Sequence, residues 1–168
     1  MCEECLEDAM AFHGFALSAH GDLDETMRMV EETATEAGHL IALAVMGTYM
    51  CALVVVRSMP PGGRILVAQA KIKDPKLLEF EPQSRCFRSA LQIALDTPEA
   101  PGDACVPMIE GFVNSHSRRE GIKLASTVIM NYYAMALQDM IRVQREASAA
   151  LQSAISDLLS RMPDTLEE

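Results

Sequence analysis

Apolar positions fall at helical spacing along two stretches of this chain, and the longer one runs from Ser117 to Met162. Ile122, Ala125, Ile129, Tyr133, Ala136, Met140, Gln144, Ala147, Leu151, Ile155, Leu158 and Met162 follow one another in steps of three and four. Such steps keep a track on one face of a 3.6-period helix. Two rows within it, Ile122–Tyr133–Gln144–Ile155 and Ile129–Met140–Leu151–Met162, repeat at eleven residues, close to the natural helical period, so the helix should be nearly straight. Ser117 and Glu120 form an S/T-x-x-E start signal, and Pro163 supplies the stop. Unbroken, a helix over 117–162 is roughly 65 Å long. That is longer than a compact domain of this size, so one end must find cover elsewhere.

The two halves of this track differ. Leu124 to Gln138 carries no charge and is apolar almost all round, the pattern of a helix buried on several sides. From Asp139 onward charge returns on one side, with Arg142, Arg145, Glu146, Asp157 and Arg161. The first half is expected in the core and the second as an arm or partner surface.

The second stretch lies near the amino terminus. Met27, Ala34, Ile41, Thr48 and Val55 recur every seven residues, with Val30, Ala37, Ala44 and Cys51 between them. This a/d pattern predicts one helix over about 23–57, with small residues that permit close helix approach. Gly38 and Gly47 weaken it by up to about 1 kcal/mol each relative to alanine. A shorter helix is expected over 3–19, closed near Gly21, and Asp22 with Glu25 marks the next start. Tyr49–Arg57 and Arg64–Ile72 are also rich in β-formers, so a hairpin over about 49–72, giving an α+β fold, is the alternative.

Seven of the eight prolines lie between residues 60 and 107. This middle predicts short helices at 64–72, 75–80 and 83–96, a loop over 97–105, and another helix over 107–114. It connects the two long helices and does not separate domains. The expected fold is therefore all-α: a single domain over 1–168, a helical bundle built on two long helices.

With 168 residues and ordinary apolar content, the chain can bury one sizeable core. Its net charge of −10 argues against a sequence-independent grip on nucleic acid or anionic lipid. The charge is uneven. Residues 1–36 hold ten acidic side chains and one basic, whereas 57–88 hold seven basic and three acidic. Two such sections can face one another or be solvated separately. The acidic amino terminus has no basic flank of a secretory signal, and five cysteines form no disulfide framework. A reducing cytoplasm is the expected setting. The uncharged run Leu40–Val56 sits at the lower length limit for a membrane span, and Thr48, Tyr49 and Gly47 dilute it, so a core helix is the better reading.

Candidate chemistry is sparse. The densest polar cluster is Ser115, His116, Ser117, Arg118 and Arg119. Two arginines in a first helical turn oppose the helix dipole unless an anion or an acidic surface lies over the free backbone donors. Cys2, Cys5, His13 and His20 share a helical face. Cys5 and His13 are nevertheless about 12 Å apart along the axis, too far for one tetrahedral ion. No metal or cofactor is implied, and no nucleophile–base pair or phosphate loop is present. The expected function is non-enzymatic: self-association, as a homodimer or higher, along Gln144, Ala147, Leu151, Ile155 and Leu158. The alternatives are a helical binding protein or enzyme for a small anion at 115–119, and a membrane-associated protein through residues 40–56.

Overall fold

The computed structural model describes residues 3–58 and 80–161, with side chains over 7–58 and 80–157. The described residues form α1 (Glu3–Ser18), α2 (Leu23–Thr33), α3 (Ala37–Ser58), α4 (Glu81–Asp96), α5 (Pro101–Ser115) and α6 (Arg118–Arg161), with no strand among them. The fold is an all-α helical bundle. By compactness the chain divides into two units, residues 1–136 and residues 137–168, and α6 contributes to both. The hairpin alternative loses its first strand, because residues 49–57 lie inside α3. Its second strand, the helix expected over 64–72 and, apart from Phe80, the helix expected over 75–80 lie outside the described residues.

In the first unit the amino-terminal part of α6 is the centre of the core. Leu124, Ala125, Val128, Ile129 and Tyr132 are all buried, as are Ser126 and Thr127 on the intervening faces. Burial all round requires neighbours on every side, and four helices supply them. From α1, the Phe12 ring meets Tyr132 with centroids 5.3 Å apart. From α2, Thr26 Oγ1 donates to the Met130 sulfur at 3.4 Å. From α3, Gly47 faces Val128 and Leu40 faces Gly121. From α4, Gln83 donates to Glu120. Two buried threonine hydroxyls are satisfied within their own helices: Thr48 donates to the Ala44 carbonyl and Thr127 to the Lys123 carbonyl, both at 2.8 Å. That removes the cost of carrying them into the core.

The single helix predicted over 23–57 is two helices. Ala34 leaves the helical region (φ −92°, ψ 81°), and α3 starts at Ala37. Most of the seven-residue track stays on the core side across this break, but Ala37 at the start of α3 is exposed and Met27 and Ile41 are half-buried. Val30, Ala34, Ala44, Thr48, Cys51 and Val55 are all buried in one core. The spacing reports burial, and both sides of the break share the same burial. The break itself is held from outside: Arg118 Nη2 donates to the carbonyls of Glu31 and Ala34, each at 3.1 Å.

Between α1 and α2 the chain turns through His20 (φ 49°) and Gly21 (φ 72°). A Cβ on Gly21 would lie 2.7 Å from the Tyr133 ring, so both backbone conformation and close approach demand glycine there. Asp22 then caps α2, its carboxylate accepting from Glu25 N–H at 2.9 Å.

The loop expected over 97–105 is shorter, because α5 already begins at Pro101. Proline suits a first helical residue, where its missing N–H would be unpaired in any case. Pro107, expected as a helix start, is inside α5 instead. It lacks the N–H that would bond to the Asp103 carbonyl, but Cys105, Ile109 and Val113 anchor one face of α5 in the core on either side of it. Tertiary burial outweighs the local cost.

Candidate functional site

The polar cluster Ser115–Arg119 is the junction between α5 and α6, and all five residues are exposed. Ser115 Oγ donates to the Gly111 carbonyl at 2.6 Å. His116 stacks on Phe112 with ring centroids 4.1 Å apart, and its Nδ1 is 2.8 Å from the Phe112 carbonyl oxygen. Ser117 Oγ accepts from Glu120 N–H at 3.4 Å, which starts α6. The reciprocal half of the capping box is replaced by another arrangement. The Glu120 carboxylate accepts from Lys123 Nζ at 2.9 Å and from Gln83. The Lys123 hydrogen bond, above all, holds the Glu120 carboxyl below its ordinary range.

Arg118 points away from the start of its own helix. Besides bonding the Glu31 and Ala34 carbonyls, its guanidinium lies 3.7 Å from the Glu31 carboxylate. It therefore sits on the carboxyl-terminal end of α2, where the helix dipole favours a cation. The sequence marks two arginines as unfavourable for α6, and one of them serves the negative end of a different helix. Arg118 thus engages acidic residue 31 of its own chain. Arg119 is exposed.

The residues weighed as metal ligands are not gathered into a site among the described residues. His13 Nδ1 is 2.6 Å from the Tyr132 hydroxyl, His20 is exposed in the α1–α2 turn, and the side chains of Cys2 and Cys5 lie outside the described residues. No group of three or more His, Cys, Asp or Glu able to hold an ion occurs among the described residues. Cys51, Cys86 and Cys105 are free and buried. Burial pushes the Cys86 and Cys105 thiols up to about 11, and that of Cys51 further still. These are packed thiols, far from thiolate chemistry at neutral pH.

The apolar run Leu40–Val56 lies in α3, which has the length and composition of a membrane span; 39% of its most apolar window is buried in the fold. Leu40, Ala44, Gly47, Cys51 and Val55 form its buried side. Around it pack α1, α4 and α5.

In the second unit the surface changes character. Past Ala136, α6 exposes Leu137, Met140, Ile141, Val143, Leu151 and Ile155, with Leu151 62% and Ile155 47% accessible. Gln144 and Ala147 are exposed as well, and the Leu158 side chain lies outside the described residues. On a 100° helical projection Met140, Gln144, Ala147, Leu151 and Ile155 form one stripe. Arg142, which bridges Asp139 and Glu146 at 2.7 Å each, lies on the opposite side. Of the expected self-association residues, Gln144, Ala147, Leu151 and Ile155 therefore share one exposed face, opposite the Arg142 ion pairs. Compared with models of protein families, with curated proteins and with solved structures, this chain matches none.

Proposed function

We propose that this protein is a non-enzymatic interaction and assembly protein that self-associates through α6 beyond Ala136. One observation carries the reading: the face that is buried in the core up to Ala136 continues as an apolar stripe that is exposed from Leu137 to Ile155. At about 25 cal/mol per Å², a few hundred Å² of such surface is worth several kcal/mol when covered. A second copy carries the same stripe, and closed two-fold pairs are the commonest homo-oligomers. On the opposite side Arg142 pairs with Asp139 and Glu146 within the helix, so the apolar side is the one offered to a partner.

Sedimentation at on the order of tens of micromolar should give a multiple of the 18.4 kDa chain mass. Leu151→Glu places a charge in the stripe and should return the monomer. The near-ultraviolet signal of Tyr132 and Tyr133 should persist, because Leu151 lies outside the first unit's core. A monomer for the unaltered protein overturns the reading.

A further inference from the structure

We infer that the two copies meet antiparallel, about a two-fold axis at the level of Ala149, with Leu151 of each copy seated over Ala147 of the other. The inference rests on the self-association proposed above and specifies its geometry.

Bulk is unevenly distributed along the exposed stripe. Ala147 and Ala154 are small, and Leu151 between them is large. In a parallel pair each layer meets itself. Alanine then faces alanine at two levels, leucine crowds leucine at a third, and two Gln144 amides share the apolar seam. In an antiparallel pair, positions equally far from Ala149 on either side face each other. Ala147 then meets Leu151, and Gln144 meets Ala154, so each of these layers combines a large residue with a small one. Helix surfaces fill space best when large and small residues alternate across the contact.

The edge of the stripe gives the same answer. Ile141 and Ile155 lie on one edge and are 42% and 47% accessible. A two-fold axis normal to the plane of the two helices brings like edges together. Ile141 of one copy and Ile155 of the other then differ in level by two residues, or about 3 Å. In a parallel pair they are fourteen residues, about 21 Å, apart. Charge also favours a second copy. Residues 137–161 hold three acidic and three basic side chains in a chain of net charge −10, so two copies joined there meet without net repulsion.

The test is disulfide trapping in the full chain with Cys2→Ser and Cys5→Ser as background. The buried Cys51, Cys86 and Cys105 do not compete. Gln144→Cys and Ala154→Cys, both at exposed positions, are oxidised mildly, separately and mixed. The mixture should give covalent dimer at least tenfold faster than either variant alone. If Gln144→Cys couples to itself as fast as the mixture couples, the antiparallel arrangement is overturned while self-association stands. A dimer by sedimentation that couples in none of the three overturns the register. A monomer by sedimentation overturns the underlying reading instead.

Discussion

Replacing Gly47 by alanine tests the core more sharply than any truncation. The residue lies in mid-α3, where helix propensity alone favours alanine by about 0.8–1 kcal/mol. A Cβ there would stand 2.5 Å from Val128 Cγ1 and 2.8 Å from Phe12 Cζ. Both distances are far inside van der Waals contact, and both neighbours are buried in the core. Overpacking of this kind costs roughly 1–3 kcal/mol. The clash offsets or exceeds the propensity gain, and Gly47→Ala should destabilise the fold by up to about 2 kcal/mol. Gly111→Ala is the control: Gly111 is exposed within α5, nothing lies within 4 Å of its added Cβ, and a gain of about 0.5–1 kcal/mol is expected. Urea denaturation of both variants measures the difference. Adding Val128→Ala should relieve the clash, giving a coupling of about 0.5–3 kcal/mol with Gly47→Ala. If Gly47→Ala stabilises the protein as much as Gly111→Ala does, α3 and α6 do not cross at this point.

Three further outcomes follow from the same geometry. Arg118→Ala should cost about 1 kcal/mol and speed amide exchange at Ala34, whose N–H bonds to the Val30 carbonyl. Arg119→Ala should leave both unchanged, and equal effects of the two variants would remove the assigned clamp. Glu120 has a depressed folded pKa, so its contribution is present above the ordinary carboxylate value of 4.5 and is lost as pH falls through the lower folded value. Lys123→Met should therefore flatten the acid side of a melting-temperature profile, and an unaltered profile would show that the pair contributes nothing. Cys51, Cys86 and Cys105 should resist alkylation in the folded protein at neutral pH and react on unfolding, as read by site-mapped mass spectrometry. Rapid native labelling of Cys86 or Cys105 would contradict a thiol held near 11.

Some of this was legible in the residues and some could not be. The start of α6 was, because Ser117 opens a long track without proline. Most buried positions of α2 and α3 were legible too, since spacing records burial, but the exposed Ala37 was not. The break at Ala34 was not, because Arg118, which holds it, is 84 residues away in sequence. Gly47 read as a local weakness in a helix, yet its value lies in two contacts made by other helices. Pro107 likewise signalled a boundary, and the buried face of α5 overrode it. For the candidate site, the exposed stripe beyond Ala136 was visible as periodicity. The role of Arg118 was visible only as an oddity, two cations at the wrong end of a helix.

The central position of α6 has a consequence in time. The helices that surround Ile122–Ala136 all precede it in the chain, so a ribosome delivers the wall of the core before its centre. The apolar α3 is complete at Ser58, and roughly 80 residues must follow before its partner surface through Ala136 exists. At about 5–20 residues per second, that interval is about 4–16 s. During it, Leu40, Ala44, Cys51 and Val55 have no α6 to pack against. A nascent chain stalled shortly after α5 should therefore present α3 to chaperones, and release of those chaperones should coincide with emergence of the segment around Tyr132.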